Sequence, residues 1–565
     1  MTEYERWLQQ PLDDQDLTEE LQSIQGQDDE INDRFYQSLE FGTAGLRGVI
    51  GAGTNRMNVY TVRQATQGLA NYLLKHSEGK PQSVAIAYDS RNKGVLFSQQ
   101  SAAVLAANGI KAYIYPQLMP TPALSYAVRH LKCDAGICVT ASHNPAKYNG
   151  YKAYGSDGCQ VTADMADGIL AEIKSIDIFT GVKKMDFEEG MKQGLIEYIG
   201  EETVNAFLDD VYKESLIDDA SNLKLVYTPL NGAGKVCVTR ILDRIGIKDV
   251  TIVPEQSEPD GNFPTCPYPN PEFREALQKG LERCEKVQPD LLLATDPDSD
   301  RVGIAVNQGG EYVLMTGNEV GILLLNFIAQ ARQEQGKLPA HPVAVTTIVS
   351  TDMVDPIAKK YGVEMRRCLT GFKYIGDIIA DLEQKEGSDE SFLLGFEESY
   401  GYLPGGYVRD KDAVAASMLI CEMASYYKRQ GKTLVDVMND LYNTYGYYQN
   451  ATLNFGFEGE DGMKTMQNIM ATLRQTPPTE IAGIQVVGRS DYQESMAYGD
   501  KEGVIDLPKS NVLEYRLANG CKVIVRPSGT EPKIKIYLFG KGATMEESLQ
   551  EIDKMKNAVS GLLGI

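Results

Sequence analysis

Short apolar runs alternate with amphipathic stretches along most of the chain. Between Tyr60 and Thr140 the pattern predicts a helix to Leu74, a strand from Val84 to Tyr88, a helix from Val95 to Asn108 closed by Gly109, a strand from Ala112 to Tyr115, a helix after Pro122 and a strand from Ala135 to Thr140. Unbroken apolar runs of this length, set between helical stretches, read as strands of a largely buried sheet in β/α packing. A second round runs from a strand at Leu223 to Tyr227, through a helix from about Gly234, to the run Leu291 to Thr295. A third has a helix from Val320 to Gln335, strands Val343 to Ile348 and Glu364 to Cys368, and the apolar run Phe392 to Phe396. From about Gly446 the pattern changes: a strand Ala451 to Phe455, a helix Met463 to Arg474, strands Val512 to Leu517, Val523 to Val525 and Ile534 to Phe539, and a terminal helix predict an α+β domain. Ahead of all these, Asp16 and Glu19 make a capping-box pattern before Leu17, Leu21 and Ile24, which predicts an amphipathic surface arm with an acidic outer face.

A length of 565 residues is too great for one core and implies several domains. No run of eighteen uncharged apolar residues occurs, and the N-terminus is acidic, so the chain is expected neither to span a membrane nor to be secreted. Nine cysteines without a C-x-x-C pair form neither a disulfide framework nor a zinc site and fit a reducing cytoplasm. The net charge of -23 disfavours nucleic acid and anionic membranes as partners, so an anionic substrate has to be drawn in by local basic groups.

The chemistry gathers where apolar runs end. Ala135 to Val139 lead into Thr140-Ala141-Ser142-His143-Asn144-Pro145, where Ser142 offers a nucleophile or phosphate carrier and His143 a proton shuttle or phosphate donor. On an extended chain the two side chains point opposite ways, which argues against a serine–histidine pair, and G-x-S-x-G is absent. Asp89-Ser90-Arg91 also follows a strand, where open α/β sheets place ligand sites. Asp296-Pro297-Asp298-Ser299-Asp300-Arg301 sets three carboxylates at alternate positions that share a side of an extended loop, and clustered carboxylates repel unless a cation sits among them; hard oxygen donors favour magnesium. An EF-hand is excluded by Arg301 and Asn307 at its glycine and glutamate positions. An aspartyl-phosphatase of the haloacid dehalogenase type, with a strand followed by D-x-D, and a plain acidic turn remain alternatives.

Three further clusters add binding chemistry. Phe41-Gly42-Thr43-Ala44-Gly45-Leu46-Arg47-Gly48 is a glycine-rich loop whose amides and arginine suit a phosphate, without G-x-G-x-x-G spacing. Gly395-Phe396-Glu397-Glu398-Ser399-Tyr400-Gly401-Tyr402 suits hydroxyl recognition. Arg526-Pro527-Ser528-Gly529-Thr530-Glu531-Pro532-Lys533 brings a guanidinium, hydroxyls and a lysine to a loop between strands, as a phosphate requires; a hairpin turn would suit the prolines and glycine too, but has no need of Arg526. Thr370-Gly371-Phe372-Lys373 is a weaker basic loop, and Gly232-Ala233-Gly234-Lys235 lacks Walker spacing and reads as a helix start.

In this order the motifs resemble the α-D-phosphohexomutase family, the phosphoglucomutases and phosphomannomutases, from about Phe41 to Lys535. The resemblance implies an α/β fold of three related α/β domains with mixed sheets plus a C-terminal α+β domain around a central cleft. The boundaries expected are 1–205 for the arm and phosphoserine domain, 206–312 for metal binding, 313–445 for sugar recognition and 446–565 for phosphate binding. It implies Ser142 as the phosphoserine, with Asp296, Asp298 and Asp300 holding Mg2+ together with a phosphoryl oxygen on Ser142. Arg47, His143 and Lys152 fall near the transferring group, Lys152 as a proton-transfer candidate. Arg301 and Lys373 fall near that centre or the sugar, Glu397 and Ser399 read the sugar, and Arg526, Ser528, Gly529 and Thr530 grip the other phosphate. The implied reaction interconverts glucose 1-phosphate and glucose 6-phosphate, with glucose 1,6-bisphosphate as activator and intermediate, in a cytoplasmic monomer or weak dimer. Glu-Glu-Ser, where phosphomannomutases carry Glu-Met-Ser, is glucomutase-like, while Arg409-Asp410-Lys411-Asp412 also resembles a phosphopentomutase-like branch, so mannose and pentose phosphates stay open. A magnesium-dependent phosphatase using Asp296 and a non-catalytic sugar-phosphate sensor are the readings from other classes; intact Ser142, Lys152 and the three aspartates argue against the sensor.

Overall fold

Strands form where the apolar runs predict them. The computed structural model describes residues 2–42, 45–457, 462–528 and 532–564. The chain divides into two compact units, one of Met1–Val320 with Ile375–Thr433, the other of Gly321–Tyr374 with Leu434–Ile565.

In the first unit, β1 (Gly45–Val49), β2 (Ser83–Tyr88), β3 (Lys111–Ile114), β4 (Ala135–Val139), β5 (Tyr148–Gly155) and β6 (Ile196–Tyr198) make a sheet ordered β1-β5-β4-β2-β3-β6. The neighbours β4-β2, β2-β3 and β3-β6 run parallel, whereas β5 is antiparallel to both β4 and β1. A second sheet has the order β11-β10-β9-β7-β8, built from β7 (Lys224–Thr228), β8 (Asp249–Ile252), β9 (Leu291–Thr295), β10 (Val302–Gln308) and β11 (Glu311–Met315). Its pairings repeat those of the first, with β9-β7 and β7-β8 parallel and β10 antiparallel on both sides. A repeat invisible in the residues is therefore explicit in the topology. Strands β4 and β9 are buried along their whole length, as central strands covered on both faces must be, which is why both read as unbroken apolar runs. The hairpin β14 (Phe392–Glu397) and β15 (Gly401–Leu403) also belongs to this unit, with Val302 N donating to Tyr400 O at 3.1 Å.

The N-terminal arm differs from its expectation. Its second helix, Gln15–Ser23, is capped by Asp14, whose side chain accepts from Asp16 N, and not by Asp16. The arm is also no surface appendage: Leu17, Leu21 and the fully buried Trp7 join the main core, with the Trp7 ring 5.2 to 5.9 Å from those of Phe179, Tyr60 and Phe35. The glycine-rich segment likewise supplies a strand: β1 begins at Gly45 and pairs with β5. A Cβ on Gly45 would fall 1.9 Å from Tyr151 O, so only glycine permits that approach. Thr43 and Ala44 lie outside the described residues.

In the second unit β12 (Val343–Thr347) and β13 (Glu364–Cys368) pair in parallel. The C-terminal part is an antiparallel sheet in the order Tyr447–Gly456, Lys533–Gly542, Lys522–Pro527, Leu513–Leu517, Ile484–Asp491, Met496–Gly499 and Gly503–Val504. Helices Gly462–Gln475 and Met545–Leu563 share its core, as the α+β pattern predicts. Ile348, Val349 and Leu369 pack with Ile524, Tyr537 and Phe539, which joins the two parts of this unit. Among the described residues no helix is long and apolar enough to cross a membrane.

Candidate active site

Every predicted cluster of the first unit sits at the carboxyl end of a buried strand or on the strand beside it. After β4 the chain turns sharply, and Ser142 takes a left-handed conformation at φ 51°. This turn overturns the extended-chain expectation: the Ser142 and His143 side chains come to one side, with Oγ and Nδ1 3.1 Å apart. Ser142 Oγ also donates to Asp296 Oδ2 at 3.1 Å, across two strands far apart in sequence. Thr140 Oγ1 receives Ser142 N at 2.8 Å, so the loop is anchored from within. Strand β5 returns antiparallel beside β4 and carries Lys152 into the same space. A Cβ on Gly150 would meet Thr140 O at 2.4 Å, so this close passage of β5 requires glycine. Arg47, on β1 one strand further out, reaches Asn144 Oδ1 at 3.5 Å.

The aspartates converge, but not through an extended loop. The segment after β9 is a compact turn with Ser299 at φ 51°, closed by Ser299 N to Asp296 O at 2.9 Å. Asp296 Oδ1 accepts from the amides of Asp300 and Arg301 at 3.1 and 3.0 Å. One oxygen from each of Asp296, Asp298 and Asp300 lies within 4.8 Å of the others, and all three residues are buried. Asp298 Oδ1 and Asp300 Oδ1 have no hydrogen-bond partner despite burial. Buried carboxylate oxygens left without a hydrogen-bond partner in such a cluster are unfavourable without a cation, so this donor set fits a hard divalent metal.

Lys152 Nζ pairs with Asp298 Oδ2 at 2.9 Å and lies 3.8 Å from Asp300, while Lys411 Nζ reaches Asp300 Oδ2 at 3.2 Å and Asp410 Oδ1 at 3.0 Å. Burial tends to raise the Asp298 carboxyl, but Lys152 and then Lys411 override it and hold Asp298 ionised well below the usual range. Asp296 goes the other way: burial first, then the charges of Asp298 and Asp300, push it well above. Burial and the neighbouring Arg301 keep His143 neutral. Burial would lower Lys152, yet Asp298 and Asp300 leave it above its ordinary value and protonated. Arg301 Nη1 binds Glu272 Oε1 at 2.7 Å and also feels the charge of Glu397, which is buried at the end of β14.

Of the residues singled out in the sequence, the first unit thus gathers Ser142, His143, Lys152, the three aspartates and Arg301, with Arg47 beside the serine loop and Glu397 within electrostatic range. Ser399 lies in the turn between β14 and β15. Lys373 belongs to the second unit and, contrary to its reading as a loop residue, occupies the first turn of helix Phe372–Glu386. Arg526 is the penultimate residue of strand Lys522–Pro527 in that unit, its Nη1 3.3 Å from Tyr537 Oη, with Ser528 just beyond the strand. Gly529 and Thr530 lie outside the described residues. The motif reading flagged Arg91, Thr140 and Lys411 within their motifs without giving them a role at the site, and it missed Thr121. Thr121 Oγ1 and Thr140 Oγ1 both reach Asp298 Oδ2, at 3.1 and 3.2 Å. The signal for Lys411 was a lysine between two aspartates, and for Arg91 its place after β2.

A buried carboxylate triad facing a serine, flanked by lysines and arginines at strand ends, is the apparatus of a phosphoryl-transferring enzyme. Three segments match the phosphoglucomutase/phosphomannomutase alpha/beta/alpha domains I, II and III, over residues 38–178, 205–310 and 316–445. The chain is 37% identical over 533 residues to the phosphoglucomutase of Staphylococcus saprophyticus, covering 93% of this chain and 95% of that protein. It is 36% identical over 526 residues to that of Staphylococcus haemolyticus, covering 92% and 93%. The chain belongs to the phosphoglucomutase/phosphomannomutase family and is an enzyme of the isomerase class. Among solved structures, the open form of the Paramecium phosphoglucomutase pp63/parafusin shares the fold with a TM-score of 0.70 at 17% identity, over 94% of this chain and 96% of that one. A putative phosphomannomutase from Thermus thermophilus gives 0.67 at 22% identity, over 92% and 99%.

Proposed function

We propose that the chain is a phosphoglucomutase that interconverts glucose 1-phosphate and glucose 6-phosphate through phospho-Ser142 and glucose 1,6-bisphosphate. The observation that carries the reading is Ser142 Oγ held 3.1 Å from Asp296 within the buried carboxylate triad. Similarity to staphylococcal phosphoglucomutases over almost the whole chain supports glucose as the sugar. In the forward direction phospho-Ser142 gives its phosphoryl group to the sugar 6-hydroxyl; the Oγ–P bond breaks as the new O–P bond forms, and the hydroxyl proton ends on Ser142 Oγ. After the bisphosphate turns over, the 1-phosphoryl group returns to Ser142 and a proton goes to the released sugar oxygen.

Lys152, protonated and facing the transfer centre, is the group we assign to that proton. Magnesium held by Asp296, Asp298 and Asp300 would supply Lewis-acid stabilisation of charge on the phosphoryl oxygens. Arg47 and Arg301 neutralise the anion in the first unit, Lys373 falls near that centre or the sugar, Glu397 and Ser399 accept and donate to sugar hydroxyls, and the loop at Arg526, Ser528, Gly529 and Thr530 takes the non-transferring phosphate. The four-domain division at 205, 312 and 445 belongs to this reading, as do a monomer or weak dimer and a cytoplasmic location, for which nine buried cysteines without a C-x-x-C pair are the support. The test is formation of glucose 6-phosphate from glucose 1-phosphate with magnesium and a trace of the bisphosphate. Wild type should turn over and Ser142→Ala should not; turnover in the variant would remove Ser142 from the reaction.

A further inference from the structure

We propose that Arg91, braced by Asp89 and Thr140, is the positioning residue that makes Ser142 competent to accept and donate phosphate; the inference rests on the phosphoserine reading above. The Arg91 and Asp89 side chains are both fully buried, with Nε and Oδ2 3.5 Å apart. The Arg91 guanidinium donates to four main-chain carbonyls of a single loop: Ser142 O at 2.5 Å, Pro145 O and Tyr148 O at 3.0 Å each, and Asn144 O. The ring of Phe263 covers the guanidinium, 5.2 Å from its centre. Asp89 Oδ1 accepts Arg91 N at 2.9 Å and its Oδ2 accepts Thr140 Oγ1, while Thr140 Oγ1 in turn holds Ser142 N. The circuit is closed: one carboxylate fixes both the arginine and the threonine, and these two fix Ser142 from its carbonyl and its amide.

Such a frame has a purpose at this position. A serine in the left-handed region is strained and persists only where its surroundings over-determine it. Here that conformation is what turns Oγ toward Asp296 and His143. When bisphosphate loads the enzyme, the sugar O–P bond breaks as the Oγ–P bond forms, and the Ser142 hydroxyl proton ends on the released sugar oxygen. That exchange depends on the placement of Oγ, whereas the guanidinium itself contacts loop carbonyls, Asp89 and the Phe263 ring. Lysine at this position keeps the charge but presents donors from a single point and cannot bridge four spread carbonyls.

Full-length wild type, Arg91→Lys and Arg91→Ala are compared for kcat and KM on glucose 1-phosphate, and for the rate at which glucose 1,6-bisphosphate phosphorylates Ser142, read by intact mass. In Arg91→Lys, kcat and the labelling rate should fall together by about 10²-fold while KM stays within about threefold, the signature of a misplaced nucleophile. Guanidinium ion should restore part of the rate in Arg91→Ala and none in Arg91→Lys. Wild-type kcat and labelling in Arg91→Lys, or a loss confined to KM, would overturn the positioning role. If Arg91→Ala does not fold, the two rates of Arg91→Lys decide alone. Absence of Ser142 labelling in wild type would overturn the phosphoserine reading itself, so the two failures are distinct.

Discussion

Replacing Lys152 by methionine tests how the carboxylate triad is kept in place without a metal. The substitution retains much of the buried stem and removes the ammonium that lies 2.9 Å from Asp298 Oδ2. Breaking a buried pair by deleting one partner costs about 3–5 kcal/mol, because the remaining charge is left uncompensated. The Lys152 side chain is 21% exposed and Asp298 keeps the hydroxyls of Thr121 and Thr140, so the lower end, about 3 kcal/mol, is expected. Trp7, the chain's single tryptophan, is buried in the same unit and reports its unfolding in urea by fluorescence. In chelator the variant should show the full deficit. Added magnesium should narrow it, since a bound cation replaces the missing charge and stabilises the folded state by mass action. Mutase turnover should fall by about 10²–10⁴-fold, the usual contribution of a positioned proton donor. Equal stability in chelator, or a larger magnesium effect on wild type than on the variant, would refute this account of the site's charge balance.

Glu422 is buried and accepts from Ser215 Oγ and Leu216 N; burial raises its carboxyl from 4.5 to about 7. Because its folded pKa lies above its unfolded one, the stability it contributes is full below about pH 4.5 and lost as pH rises to about 7, a difference of roughly 3 kcal/mol. Glu422→Gln should flatten that slope in denaturant titrations between pH 5 and about 8, and an unchanged slope would place the group elsewhere. Trp7→Ala should cost about 3–5 kcal/mol by circular dichroism, since the side chain is wholly buried among three aromatic rings; a loss under about 1 kcal/mol would return the arm to the surface role its sequence suggests. Arg526→Ala should raise KM for the sugar phosphate by about 10–100-fold with little change in kcat, the loss of a charge-assisted contact, and an unchanged KM counts against the phosphate clamp.

Much of this architecture is legible before any coordinates. Strands such as β4 and β9 are buried on both faces, so they print as apolar runs, and the polar cluster after each run marks the strand end where α/β sheets hold their sites. What stays hidden depends on dihedral angles or on contacts between distant residues. The Ser142–His143 approach needs a positive φ that the residue types do not announce, and the aspartates converge through a turn in place of an extended loop. Strand β1 was hidden because it is short and glycine-rich, stabilised by its pairing with β5. Lys411 and Arg91 act on Asp300 and on the Ser142 loop from other segments of the chain, so no local pattern could assign their partners. Asp14 displaced Asp16 as a helix cap by two residues, a difference of local competition between equally good acceptors.

The most direct test of the central claim is a chase. Wild type is loaded with glucose 1,6-bisphosphate carrying labelled phosphate, freed of sugar, and mixed with unlabelled glucose 1-phosphate and magnesium. The account predicts label on Ser142 by peptide mapping, its loss within a turnover, and its appearance in sugar phosphates with no inorganic phosphate beyond background. Label that never enters Ser142, or that leaves as inorganic phosphate at the rate of turnover, would contradict it.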